Sequence, residues 1–190
     1  MKAPAQRLFA GIALESNERA ACAAVGDALR RCGFAATYEH AEKLHVTLAF
    51  LGNVAASRGD EIVRRLDEAV AAVAPLTIVL DKLGAFPHER KPRAVYVGAR
   101  DQGPAFRTLA HRVRDAYVDA GFSFGDDPVA HVTIARVKSA VHALPSVEFA
   151  PISVPVADLC LFESHFDKAA NTSRYEIRAR VALTLAHMSS

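Results

Sequence analysis

Several things are missing from this sequence, and each absence removes a class of protein. Cysteine is scarce: Cys22, Cys32 and Cys160 are odd in number and form no Cys-x-x-Cys pair, so neither a disulfide framework nor a thiolate zinc site is suggested. They read as buried apolar residues in a reducing cell. No apolar run approaches the ~20 residues of a membrane span, and the Met-Lys-Ala-Pro start lacks the apolar core of a signal peptide. The expectation is a cytoplasmic protein with no membrane contact. Neither a Gly-x-Gly-x-x-Gly nor a Walker A loop occurs, which leaves a nucleotide cofactor without a motif. An excess of one charge is missing too. The 23 Lys and Arg residues against 21 Asp and Glu leave +2, too little for a nonspecific nucleic-acid binder.

What is present is a short stretch that occurs twice, His45-Val46-Thr47-Leu48-Ala49 and His131-Val132-Thr133-Ile134-Ala135. Each copy is apolar and β-branched and predicts a strand. Successive side chains in a strand point to opposite faces, so His45 and Thr47 share one face while Val46 and Leu48 share the other. The second copy repeats this with His131 and Thr133. Packing accounts for the Val, Leu and Ile positions but gives no reason to keep an imidazole and a hydroxyl together on the opposite face.

At 190 residues, about half of them hydrophobic, the chain can bury one sizeable core or two closely packed lobes. Strands are expected at 7–14, 44–51, 76–83, 94–99, 129–137, 152–162 and 175–185, with a polar exposed loop at 164–173. Helical spacing predicts a helix after Ser16, its cap, ending at Gly33, a second through Ile62, Leu66 and Val70, and a third over 104–120. Strands outnumber helices without alternating strictly with them. The fold class is therefore α+β with antiparallel pairing, two sheets with outer helices bringing the repeat strands to opposite walls of a cleft. No linker divides the chain, so residues 1–190 form a single bilobal domain. The terminal Met188-Ser189-Ser190 is expected to fray.

Two facing histidines suit a reaction that removes one proton and supplies another, since an imidazole titrates near ~6.5. The Thr47 and Thr133 hydroxyls can donate to nonbridging phosphate oxygens. A cyclic phosphodiester fits such equipment with neither a metal nor a cofactor. Local cations, Arg90 to Arg93, Arg136 with Lys138, and Arg174, Arg178 and Arg180, suggest a positive rim for an anionic substrate. A metal site is the main rival, but it needs a third ligand, and none lies two positions from either histidine. A module that binds phosphate or RNA ends without turnover is the second. Arg136 stands five positions after His131, an odd offset that reaches the same face only through a twist or bulge. Phe50 stands in the same relation to His45 and reads as core. Phe162 is a candidate for stacking on a base, with core packing the plainer reading. His40, His88, His111, His142, His165 and His187 read as surface or loop residues.

The paired His-x-Thr motifs, with RLFAGIAL at 7–14, LHVTLAFLG at 44–52, GAFPHERKPRAVYVG at 84–98 and HVTIAR at 131–136, resemble the two-histidine (2H) phosphoesterase superfamily. The likeness is strongest to its RNA 2′,3′-cyclic phosphodiesterase branch, also named 2′-5′ RNA ligase, and covers essentially the whole chain. The resemblance implies a bilobal, pseudo-twofold fold around a central cleft. It also implies hydrolysis of RNA 2′,3′-cyclic phosphate ends to 2′-phosphates, with reversible 2′-5′ joining as a further capacity; another cyclic nucleotide is the alternative substrate. By motif position His45 becomes the proton donor to the leaving 3′ oxygen, His131 the base, and Thr47 and Thr133 the phosphate ligands. The partner implied is an RNA end, with no obligate protein partner and a monomeric chain. Residues 37–43 lack the tryptophan and proline often found there in the family, which implies a different approach to the cleft.

Overall fold

The structure is a computed structural model that describes residues 5–138, 143–168 and 172–184. In chain order the elements are β1 (Ala5–Ala13), α1 (Ser16–Arg31), β2 (Thr37–Tyr38), β3 (His45–Ala55), α2 (Gly59–Val70), β4 (Leu76–Leu80), β5 (Lys82–Phe86), β6 (Ala94–Gly98), α3 (Gly103–Val118), β7 (His131–Arg136), β8 (Ile152–Val156), β9 (Asp158–Asp167) and β10 (Thr172–Ala182). His142, His187 and the C-terminal tripeptide lie outside the described residues.

The fold is α+β, and every strand pairing in it is antiparallel. The main sheet runs β10-β9-β1-β3-β7-β6-β5, with β2 also paired to β7, and β4 and β8 form a second, two-stranded sheet. The main sheet is itself two halves. One comprises β10, β9, β1 and β3, the other β7, β6 and β5, and they join through a single residue pair, Val46 opposite Val132.

Helices α2 and α3 bury the stripes their spacing predicts, Ile62, Leu66 and Val70 in the one and Phe106, Leu109, Val113 and Tyr117 in the other, whereas of the α1 stripe expected at Ala21, Val25, Ala28, Leu29 and Cys32 only Val25 and Leu29 are buried, joined by Cys22. Helix α1 packs on β7 and β8, while α3 packs on α2, β3 and β4. Ser16 is not the cap. Glu15 holds that position, and the Ser16 hydroxyl accepts instead from Arg19. Gly33 does end the helix: its φ of 74° is the left-handed conformation that lets Phe34 N–H reach Leu29 O. Cys22 and Cys160 are buried, but Cys32, at the end of α1, is exposed.

Two expected strands prove to be two elements each. The chain leaves β4 at Asp81, whose carboxylate accepts Arg100 N–H, and re-enters the main sheet as β5. The same happens at Ala157 between β8 and β9, where Ala157 O accepts Leu183 N–H. Both corners carry the chain between the small sheet and the large one, a change of partner that local hydrophobicity does not record. The segment read as a polar loop continues instead as paired strand to Asp167 and again from Thr172.

Candidate active site

The site is built where the halves meet. Antiparallel pairing of Val46 with Val132 puts the middle residues of the two His-x-Thr triplets opposite each other, so the four polar side chains flank that pair on the other face. Val46 and Val132 are fully buried, while His45, Thr47, His131 and Thr133 are half-buried. Each ring is anchored alike. His45 Nδ1 lies 2.6 Å from Lys43 O, and His131 Nδ1 lies 2.8 Å from Val129 O. A carbonyl only accepts, so Nδ1 carries the proton in both rings and Nε2 is left for the cleft. His45 Nε2 stands 3.0 Å from the Thr47 hydroxyl, which donates to it when the ring is neutral.

A second coincidence extends the symmetry. Along β1, Ala10 pairs with Ala49 and Gly11 with Thr47, which leaves Leu48 unopposed. Along β6, Val95 pairs with Ala135 and Tyr96 with Thr133, which leaves Ile134 unopposed. Both repeats thus carry a β-bulge at their fourth residue, and a bulge reverses the side-chain alternation beyond it. Its consequence is that Phe50 and Arg136, two residues further on, turn to the cleft. Phe50 is 49% exposed and lines the cavity, so its reading as core is corrected. Arg136 reaches the same cavity by the bulge its odd offset required.

Burial lowers the proton affinity of both rings. For His45 it outweighs the Lys43 carbonyl, which raises it, while His131 and Arg136 lower it further and Glu39 raises it. For His131 burial is opposed by the Val129 carbonyl. Both rings are therefore neutral at pH 7 in the unliganded protein. Their walls differ. His45 is boxed by Phe9 at 4.7 Å, Tyr175 at 5.2 Å and Phe162 at 5.6 Å between ring centres. His131 meets Phe86 at 5.1 Å and Tyr96 at 5.4 Å.

These groups surround a cavity of ≈ 470 Å³ that is lined by both histidines, both threonines and Arg136. Phe162 is not at its surface. It is only 6% exposed and stacks behind Phe9 at 4.8 Å, so it supports the His45 ring from beneath. Of the expected positive rim, Arg136 and Lys138 line the cavity, joined by Arg7 and Lys43. The C-terminal arginines face away into ion pairs, Arg174 with Asp167, Arg178 with Glu163 and Arg180 with Asp158. Glu39, Lys43, Arg7 and Tyr175 escaped sequence reading because each comes from outside the repeat and no motif marks it. Among the described residues, no group of three His, Cys, Asp or Glu side chains is placed to hold a metal ion. No helix among them is long and apolar enough to cross a membrane.

Comparison with known proteins gives a consistent picture. The model of the 2′-5′ RNA ligase superfamily matches residues 18–168. The RNA 2′,3′-cyclic phosphodiesterase of Thermotoga maritima is 27% identical over 83% of this chain and 86% of its own length. The enzyme of the same name from Archaeoglobus fulgidus is 38% identical over 51% of this chain and 53% of the relative. The one from Geobacillus stearothermophilus is 31% identical over 77% and 48%. The chain thus spans about half the length of the last two relatives. Among solved structures, Escherichia coli LigT in apo form is 27% identical, with a TM-score of 0.75 over 95% of this chain and 98% of that one. That protein has also been crystallised with phosphate and with 3′-AMP. TT0787 of Thermus thermophilus shares the fold, with a TM-score of 0.80 at 24% identity over 95% of this chain and all of that one.

Proposed function

The chain belongs to the 2′-5′ RNA ligase superfamily, and on that footing we propose that it hydrolyses RNA 2′,3′-cyclic phosphate ends to 2′-phosphates by a metal-independent histidine pair. The observation that carries this reading is the matched anchoring of the rings. Both Nδ1 atoms are tied to the carbonyl two residues back, which leaves two Nε2 atoms on adjacent strands facing one cavity. His131 Nε2 takes a proton from water as its oxygen bonds to phosphorus. The bond from phosphorus to O3′ breaks, and His45 Nε2 delivers its proton to that oxygen. The Thr47 and Thr133 hydroxyls hold the nonbridging oxygens, and Arg136 adds positive charge beside them.

In the unliganded protein His45 is neutral, so it must load a proton before the reaction. An arriving phosphodiester anion favours that, because a nearby negative charge stabilises imidazolium. The relatives named RNA 2′,3′-cyclic phosphodiesterase, and the phosphate and 3′-AMP complexes of E. coli LigT, support the substrate class. Joining RNA ends through a 2′-5′ bond uses the same groups in the same sense with a 5′-hydroxyl in place of water: His131 takes its proton as its oxygen bonds to phosphorus, and O3′ leaves with the proton from His45. The two halves act as one domain in a monomer, since a single chain supplies both rings, and the setting is the cytoplasm.

The test is hydrolysis, in excess EDTA, of a short RNA ending in a 2′,3′-cyclic phosphate, with the position of the product phosphate determined. The expected product is the 2′-phosphate. Tight end binding without turnover would replace this reading with a binding module, and loss of turnover in EDTA would overturn the metal-independent route.

A further inference from the structure

An anion-binding cavity has no obvious use for a carboxylate, yet Glu39 lines this one, and it is the one acidic side chain to do so among the described residues. Its position is held by backbone. Thr37 and Tyr38 pair with Arg136 and Ala135, and Glu39 N–H donates to the unopposed bulge carbonyl of Ile134 at 2.9 Å. Its Oε1 accepts from Arg136 Nε at 2.9 Å, and its other oxygen lies 3.7 Å from Lys43 Nζ. Lys43 in turn bonds the Thr172 hydroxyl on β10. The carboxylate is largely covered, whereas the Arg136 side chain is 59% exposed. An arginine held through Nε keeps both Nη groups for another acceptor, so this contact aims the guanidinium without consuming it.

We propose that Glu39 is a positioning residue: it fixes Arg136 at the cavity edge through Nε, so that the two Nη groups are presented to a phosphate in the cavity. That this phosphate is an RNA cyclic phosphate rests on the hydrolytic reading above; the aiming of Arg136 does not.

The experiment compares Glu39→Gln, Glu39→Ala and Arg136→Ala by steady-state hydrolysis of an RNA 2′,3′-cyclic phosphate and by binding of inorganic phosphate. Glu39→Gln keeps the shape and an acceptor for Arg136, so the expected result is a KM and a phosphate affinity within about twofold of the parent. Glu39→Ala is expected to raise KM about tenfold with kcat changed less, and adding Arg136→Ala to it should raise KM little further. An unchanged KM and phosphate affinity in a cooperatively folded Glu39→Ala, no rescue by Glu39→Gln, or full additivity with Arg136→Ala would overturn the proposal. Phosphate binding about tenfold weaker in Glu39→Ala, in a protein that never turns over the cyclic phosphate, would support the aiming of Arg136 and sink the hydrolytic reading instead.

Discussion

The strands β3 and β7 begin with the same frame and diverge only in what surrounds it. Their first six residues show the same succession of exposure, half-buried, buried, half-buried, buried, buried, exposed. Both put a bulge at the fourth residue and tie Nδ1 to the carbonyl two residues before the histidine. The bulge frees one carbonyl in each half, and the halves satisfy it differently. Ile134 O receives a backbone N–H from Glu39, whereas Leu48 O receives the Arg114 guanidinium of α3 at 2.8 Å. At the re-aimed position one half offers Arg136, which Glu39 holds, and the other Phe50, with the Arg7 guanidinium 5.0 Å from its ring centre. The repeat therefore supplies two equivalent proton-transfer groups, and the neighbours make them unequal.

The strongest way to break that comparison is to remove the rings one at a time. His45→Ala and His131→Ala should each cost roughly 10²–10⁴-fold in kcat for cyclic phosphate hydrolysis, the usual contribution of a positioned acid or base. Each variant should still unfold cooperatively, because the apolar partners of these strands, Val46 and Val132, remain in place. A double variant should lose little beyond the worse single one, since acid and base act in one step. Comparable activity in a folded double variant would show that the paired rings are not the machinery.

Next in size is the support of the bulges. Arg114→Ala removes the donor to Leu48 O and a second bond to Asp126 O, and leaves the bulge carbonyl of β3 short of a partner. A lost partner of this kind costs about 1–3 kcal/mol, read as a lower denaturation midpoint. Because Phe50 is aimed by that bulge, KM should rise as well. The β7 bulge, held by backbone, should be untouched, so the Arg136 contact to Glu39 should persist. Equal stability of Arg114→Ala and the parent would mean that water replaces the guanidinium without cost.

The bulges also mark where the sequence stopped being legible. His45, Thr47, His131 and Thr133 could be placed on one face because strict alternation holds from the histidine to the threonine. Alternation fails one residue later, and counting onward assigned Phe50 to the core and made Arg136 conditional on an irregularity. Nothing in Leu48 or Ile134 announces a bulge; it arises from the register that β1 and β6 impose. Glu39, Arg114 and Tyr175 were out of reach for another reason. They lie outside the repeat strands, and only the packing of their own segments brings them to the site. The helices were legible to within a turn because their signal is internal to each segment. The corners at Asp81 and Ala157 were not, because a change of sheet leaves the apolar run unbroken.

A smaller effect separates the two threonines. Thr47→Val and Thr133→Val should each lower kcat/KM about tenfold, the scale of one hydrogen bond to a charged group. They should differ in pH dependence. The Thr47 hydroxyl lies 3.0 Å from His45 Nε2, donating to the neutral ring and accepting from the protonated one, and the bond to the charged form is the stronger; without it the ring gives up its proton at lower pH. The alkaline limb of the rate profile, where the general acid loses its proton, should therefore move to lower pH in Thr47→Val and stay in place in Thr133→Val. Identical profiles would mean that the hydroxyl does not influence the ring before substrate binds.

The least effect expected is on stability, and its sign follows from burial. Both rings bind a proton less readily in the folded protein than a free imidazole does. Well above ~6.5 neither the folded nor the unfolded chain is protonated at these positions, so they add no pH dependence there. As pH falls through ~6.5 the unfolded chain takes up protons first, and stability drops until the folded rings protonate as well. Denaturant midpoints measured at about pH 7.5 and about pH 5.5 should therefore fall with acidification, and by less in a His45→Gln/His131→Gln variant, which keeps every other titrating group. The single variants then divide the slope between the halves.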